Sequence, residues 1–321
     1  MLRPAGYDGE ALTDVVSTLP KSIKRRIQAL KKLQLEGIHV EAKFYARVHQ
    51  LEKEFAPMFD ALHEKRKEIV TGEHEPTDEE CNYPIINGLT EEEVKKMDEA
   101  SAPEPSEGTK GVPDFWLNLL KSVDHLAEMI QEHDEPILKH LYDITVEIGE
   151  NPDSYTLFFH FTPNEYFKQT VLKKWYRIQL TPDEDDPFDF EGPMFVEAKG
   201  TEIEWNEGKN VTQKVVKRKQ KKGTGAGRFV TKTVKADSFF NFFDVKTTKA
   251  DLNEDDKDFE EQQLLRVDFE TGQLIRDQIV PRAVLYYTGE AVEDDIYDDY
   301  DEDEEDDEDE LEGEEDSEHD E

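Results

Sequence analysis

Residues 20–70 read PKSIKRRIQALKKLQLEGIHVEAKFYARVHQLEKEFAPMFDALHEKRKEIV. Phe44, Val48, Leu51, Phe55, Met58 and Leu62 follow one another at steps of 4, 3, 4, 3 and 4, the spacing of one helical face. Ile23, Ile27, Leu30 and Leu33 extend a similar stripe upstream. A helix of about fifty residues would span about 75 Å. The globular region that follows, about 180 residues, should have a radius of gyration of only roughly 16 Å. The helix therefore overhangs its own domain, and its stripe needs another chain to cover it. A self-paired antiparallel coil is the simplest solution, with Phe44, Val48, Leu51, Phe55, Met58 and Leu62 in the seam of a homodimer. The competing arrangement is a helix folded back on itself at Gly37. Pro57 lacks the amide for the helical ladder and predicts a kink.

The remaining chain reads as an α+β protein. Residues 1–19 are expected to be loose. Residues 71–110 form an acidic, proline-containing linker holding one short helix, TEEEVKKMDEA, with Thr90 as N-cap and Glu93 completing a capping box. In PDFWLNLLKSVDHLAEMI, one helical face collects Trp116, Leu119, Val123, Leu126 and Ile130. DEPILKHLYD opens a second helix, with Asp134 as cap and Pro136 in the first turn. ITVEIG alternates Ile144, Val146 and Ile148, a strand pattern. YTLFFHF, VLKKWYRIQL, MFVEA and TEIEW read as further strands, and strands in succession without long intervening helices point to an antiparallel sheet. Helix returns at 258–287. Between sheet and helix, residues 214–235 carry nine Lys or Arg and no acid around three glycines, a basic β-hairpin within about 201–236.

Charge then limits the partners. The net charge is −39; residues 291–321 contribute 22 negative charges and no positive ones, which leaves −17 for the rest. Such a chain disfavours nucleic acid, whose phosphates must be neutralised by Lys and Arg. It favours a basic partner through steering and local attraction. The bland explanation of the tail is a solvated, disordered end that confers solubility. Cys81 is the single cysteine, so no intramolecular disulfide or multi-cysteine zinc site can form. No apolar run approaches the roughly 20 residues of a membrane span, and the N-terminal residues lack an apolar secretory segment. A nuclear or cytosolic location is expected, which leaves the NVT sequon at Asn210 without consequence.

Catalytic patterns are missing. KKGTGAGR lacks the Lys-Ser/Thr ending of a phosphate loop and precedes no predicted helix. His125, Glu128 and His133 are not at metalloprotease spacing. There is no Gly-x-Ser-x-Gly elbow. DEDEEDDEDE lacks the glycine and spacing of a calcium loop. No enzyme, no metal and no cofactor are expected.

Over about residues 20–290 the chain resembles the nucleosome assembly protein family of histone chaperones. The resemblance is carried by ALKKLQ and FYARVHQLEKEF in the long helix, by FWLNLLKSVDHLAEMIQEHDEPILKHLYDI, by SFFNFF and by PRAVLYYTGEA. One departure is visible: the family continues its Phe-rich word with prolines, whereas DVKTTKA follows here. The resemblance implies a homodimer joined through the long helix, an α/β domain on each end, and a concave acidic underside that receives histones. The implied partners are core histones and, by the same charge, linker histone. A related branch of the family is linked to acidic signalling adaptors and phosphatase inhibitors, the alternative reading.

The physics agrees with a chaperone. Carboxylates compete with DNA phosphate for the same Lys and Arg side chains, so nonspecific histone–DNA contacts are suppressed without any hydrolysis. The expected histone-binding acids are Asp183, Glu184, Asp185, Asp186 and Asp189 in a loop between strands. A second cluster is Glu254, Asp255, Asp256, Asp258, Glu260 and Glu261 at a helix start, where acids also favour the helix dipole. The tail adds Glu293, Asp294, Asp295, Asp298 and Asp299, with Tyr297 and Tyr300 as aromatic anchors beside the charge. Lys217, Arg218, Lys219, Lys221 and Lys222 form a patch for a nuclear import receptor. Ile27, Leu30, Leu33 and Leu35 fit the spacing of an export signal, on the helix that also needs them for packing, so the expected protein shuttles between nucleus and cytoplasm. An exposed hairpin could also pair edge to edge and build higher oligomers from dimers.

Overall fold

The structure, a computed structural model, describes residues 16–101, 108–150, 152–219, 229–244, 247–248 and 259–291; for 217–219, 229–230, 247–248 and 259–265 it describes the backbone alone. Helix α1 (Lys21–Thr71) is continuous for 51 residues. The competing fold-back at Gly37 does not occur. A side chain there would meet nothing within 4 Å, so this glycine lies on an open face, and its helical penalty of about 1 kcal/mol is small against the rest of the helix. Pro57 also lies inside the helix, where it removes one amide from a ladder that continues on both sides. The helix ends at Gly72, whose φ of 72° is left-handed, and the amide of Glu73 donates to the Glu68 carbonyl at 2.8 Å. The chain returns to this end after the linker: Val112 N donates to Val70 O at 2.9 Å, and a Cβ on Gly111 would lie 2.1 Å from that oxygen. Within the linker, α2 (Glu91–Glu99) carries the expected capping box of Thr90 and Glu93.

The body is an antiparallel sheet in the order β1-β2-β3-β4-β7, with β1 (Leu141–Gly149), β2 (Ser154–Phe161), β3 (Val171–Gln179), β4 (Met194–Gly200) and β7 (Thr247–Thr248). Register places Ile144 opposite Phe159, Tyr155 opposite Tyr176 and Leu157 opposite Lys174. One face therefore collects Ile144, Leu157, Phe159, Leu172 and Tyr176, all buried. Against it pack α3 (Phe115–Ser122), α4 (Asp124–Met129), α5 (Glu135–Leu138), α6 (Phe259–Leu274), a π-helical turn (Ile275–Ile279) and α7 (Ala283–Thr288). β5 (Gln213–Lys219) and β6 (Phe229–Lys235) make a separate two-stranded hairpin, as the glycines and charge pattern predict.

Three local expectations are corrected. The helix expected across 115–130 is two helices, α3 and α4, because Val123 is extended at φ −105°, ψ 112°. TEIEW is not a strand; within it only Trp205 bridges, to Phe167, because the Gln169 side chain occupies the ladder positions, donating to Glu202 O and accepting from Glu204 N. Asp134 does not cap its own helix, which is a single short turn; its carboxylate is used elsewhere.

Helix α1 runs along edge strand β1 and contacts it at its ends. The helix contacts its domain through one face, where Ile38, Ala42 and His49 are buried. A different face leaves Leu33, Val40, Phe44, Leu51, Phe55, Met58 and Leu62 between 49% and 64% exposed.

Candidate functional site

The acidic loop between β3 and β4 is held by apolar contacts with α1. Phe190 is buried with Ile38 and Ala42, and its ring meets Tyr45 edge-on at 6.3 Å. Lys31 Nζ lies 4.9 Å from the centroid of Phe188. Gly192, at φ 117°, lets the loop pass the Tyr45 ring, where a Cβ would come within 3.1 Å. A turn in which Asp185 N donates to Asp183 Oδ1 at 3.2 Å presents Glu184, Asp185 and Asp186 to solvent, with Asp189 exposed beyond the short helix Pro187–Asp189. Asp183 is half-buried. The loop forms one wall of a groove of about 1210 Å³; His39 and Lys43 of α1 and Arg177 of β3 contribute to the other walls. Four exposed carboxylates on a loop fixed by two aromatic anchors form a surface suited to cations.

The other acidic residues expected to act with this loop are not joined to it here. Glu254, Asp255, Asp256 and Asp258, with the tail residues Glu293, Asp294, Asp295, Tyr297, Asp298, Asp299 and Tyr300, lie outside the described residues. Glu260 and Glu261 fall in the first turn of α6, with backbone alone described. Lys217, Arg218 and Lys219 fall on β5, also by backbone alone, and Lys221 and Lys222 lie outside the described residues. Leu30 and Leu33 are exposed, and Ile27 and Leu35 are half-buried. Val48, within the dimer stripe, is half-buried, unlike its exposed neighbours in the stripe.

The family profile described as nucleosome assembly protein (NAP) matches residues 25–290. This chain belongs to the nucleosome assembly protein family. It is 48% identical over 291 residues to nucleosome assembly protein 1-like 1-A of Xenopus laevis, an alignment covering 88% of this chain and 73% of that one. It is 47% identical over 290 residues to human nucleosome assembly protein 1-like 4, covering 87% and 77%. Among solved structures, nucleosome assembly protein 1 from Plasmodium knowlesi matches with a TM-score of 0.51 and 27% identity, covering 84% of this chain and 98% of that chain.

Two words that carry the nucleosome assembly protein resemblance, DEPILKHL and SFFNFF, meet in the structure. Asp134 is fully buried; its carboxylate accepts from Ser238 Oγ at 2.6 Å, from Phe239 N at 2.8 Å and from Gln131 N at 3.0 Å. It thereby fixes the 3-10 turn Phe239–Phe243, whose four phenylalanines fill the core beneath Phe159 and Phe161. A second buried polar group was missed in the sequence reading. Lys174 projects into the core from β3, paired with Asp268. The signal was available: in VLKKWYRIQL, Lys174 shares the alternating phase of Leu172, Tyr176 and Ile178.

Proposed function

We propose that this protein is a histone chaperone that acts by binding, without a catalytic step. It takes up core histones, and linker histone by the same chemistry, on acidic surfaces and the acidic tail. It suppresses nonspecific histone–DNA contacts and so promotes nucleosome assembly and disassembly. Membership of the nucleosome assembly protein family over residues 25–290 carries this reading. The charge of −39 and the exposed carboxylates of the 183–189 loop support it, because they offer histone lysines and arginines an alternative to DNA phosphate. The working unit is a homodimer through the exposed stripe of α1, a reading supported by Phe44, Leu51, Phe55, Met58 and Leu62, five large apolar side chains of the stripe that its own domain leaves uncovered. The basic hairpin serves a nuclear import receptor, and Ile27, Leu30, Leu33 and Leu35 serve export, so the protein shuttles. The relatives matched above are named for nucleosome assembly, and the signalling-adaptor alternative gains nothing from them.

The test is competition. Purified core histones are mixed with DNA at low salt, and the protein is titrated in. Aggregates should dissolve, and ordered nucleosomes should form as histone is released to DNA. Histones that remain on DNA at every protein concentration, with no protein–histone complex by sedimentation, would refute the chaperone reading.

A further inference from the structure

Helix α1 is fastened to the domain at two places in its second half. At one end Lys53 pairs with Glu150 at 2.6 Å and His49 Nε2 lies 3.1 Å from Gly149 O. At the other, Arg66 Nη1 donates to Val280 O at 2.5 Å. Between these points the helix does not close on edge strand β1. The positions that would face the strand are Ala56, which is small, and Asp60 and His63, which are polar. Hollows of about 550 Å³ and 240 Å³ result, sharing Ala56, Asp60, His63, Val146 and Ile148.

The larger hollow is lined by more carboxylates than cations: Asp60, Glu64, Asp143 and Glu147 face it, with Lys53, which is paired to Glu150. Among the described residues, Asp60 and Glu147 make no side-chain hydrogen bond or ion pair. Asp143 is only 3% exposed, yet its Oδ1 accepts no hydrogen bond, and its nearest cation, Arg66 Nη2, is 3.8 Å away. Burial lowers the pKa of His63 and of His160, so both imidazoles are neutral at pH 7, and His160 Nε2 lies 2.8 Å from Thr145 Oγ1. Pro57 removes the amide that would have satisfied the Lys53 carbonyl. The apolar part of the lining is Ala56, Pro57, Val146, Ile148 and Phe158, and Phe158 already holds an ammonium, with Lys173 Nζ 4.9 Å from its ring centroid. Unpaired carboxylates above an apolar floor suit a cation on an aliphatic stem.

We propose that the hollow between α1 and β1 is a receptor for a lysine side chain of a bound basic peptide, with the stem on Ala56, Pro57 and Phe158 and the ammonium between Asp60 and Glu147. The assignment rests on the chaperone reading for the source of the peptide, a histone tail, and adds to it a discrete pocket away from the 183–189 loop and the acidic tail.

The probe is a synthetic lysine-rich peptide from a core-histone N-terminal tail, with the same peptide acetylated at every lysine as control. Binding is followed by fluorescence anisotropy and by the imidazole NMR signals of His63 and His160 in the full chain. The unmodified peptide should shift both signals, and the acetylated peptide should not. Asp60→Asn with Glu147→Gln should weaken the peptide about tenfold, at unchanged melting temperature because both side chains are exposed. Silent imidazoles, equal affinity in the double variant, or no binding by the unmodified chain would overturn the receptor. A change of mass in the unliganded double variant would show a second copy in the hollow and would also overturn it. The chaperone reading is judged separately by the histone–DNA competition, so histones captured with a silent hollow would sink the receptor alone, and a seated peptide without histone capture would sink the chaperone reading alone.

Discussion

Lys174 Nζ donates to Asp268 Oδ1 at 2.6 Å, and the two side chains are 0% and 3% exposed. The same ammonium donates to Phe242 O at 2.8 Å, while Tyr176 Oη donates to Asp268 O at 2.9 Å. One buried pair thus joins strand β3, the phenylalanine turn and helix α6. Burial lowers the lysine pKa and raises that of the aspartate, each opposed by the partner. Lys174→Met should destabilise the fold by about 3–5 kcal/mol, because it leaves a carboxylate buried without its cation. Adding Asp268→Leu should recover most of the loss, since the uncompensated charge is then gone as well. Urea unfolding of the two variants reads the difference; equal stabilities would show that the pair is not coupled.

Much of this fold was legible because its main signals are periodic. The 4-3-4-3-4 stripe gave α1, and alternation gave β1 to β4. What escaped was decided by tertiary contacts. Val123 breaks a helix whose apolar spacing is intact. Asp134, placed like an N-cap, spends its carboxylate on Ser238 and Phe239, more than a hundred residues away. The acidic loop was legible as charge, but its attachment through Tyr45 and Phe190 was not, since nothing local distinguishes Phe190 from a loop aromatic. The hollow under α1 was invisible for the opposite reason: Ala56, Asp60 and His63 only acquire meaning once β1 is known to run beside them.

The helix stripe predicts the assembly state. Leu51 and Phe55 are 52% and 49% exposed, so carboxylates there should leave the monomer fold intact. In a dimer seam the same carboxylates would be buried without partners, which is strongly unfavourable. Leu51→Asp with Phe55→Asp should therefore give a folded monomer by light scattering, with helical circular dichroism retained. A dimer mass in this variant would place the interface elsewhere.

Asp143 predicts a pH dependence. Burial is the main cause that pushes its carboxyl up to about 6, against the lowering influence of Arg66 and Lys67. A folded pKa above the unfolded value of about 3.9 means that the native state holds the proton more tightly. This contribution is present in full below about pH 4 and is lost as pH rises through about 6. Asp143→Asn removes the titration. The stability of the variant minus that of the unmodified protein should therefore grow by roughly 2 kcal/mol between pH 4 and pH 7 and stay level above. Parallel urea melts across that range decide the point; a constant difference would mean that Asp143 titrates normally.

The last prediction separates the loop from the tail. Glu184→Gln, Asp185→Asn and Asp186→Asn remove exposed charge while leaving Phe190 on Ile38 and Ala42, so melting temperature should be unchanged. Histone affinity should fall several-fold at low salt and converge on the unmodified value at high salt, as expected of screened pairs. Ending the chain at Ala291 removes 22 negative charges, and the affinity should then fall further and its salt dependence flatten. Tyr297→Ala with Tyr300→Ala keeps every charge, so it reads a different contribution. If the two rings enter an apolar pocket on the histone, the loss should persist at high salt, at about 2 kcal/mol or roughly thirtyfold. Calorimetric titration at two salt concentrations resolves the three variants. Coincident curves for the tyrosine variant and the unmodified chain at both concentrations would reduce the tail to its charge, whereas a loss that survives screening would require an apolar partner for Tyr297 or Tyr300.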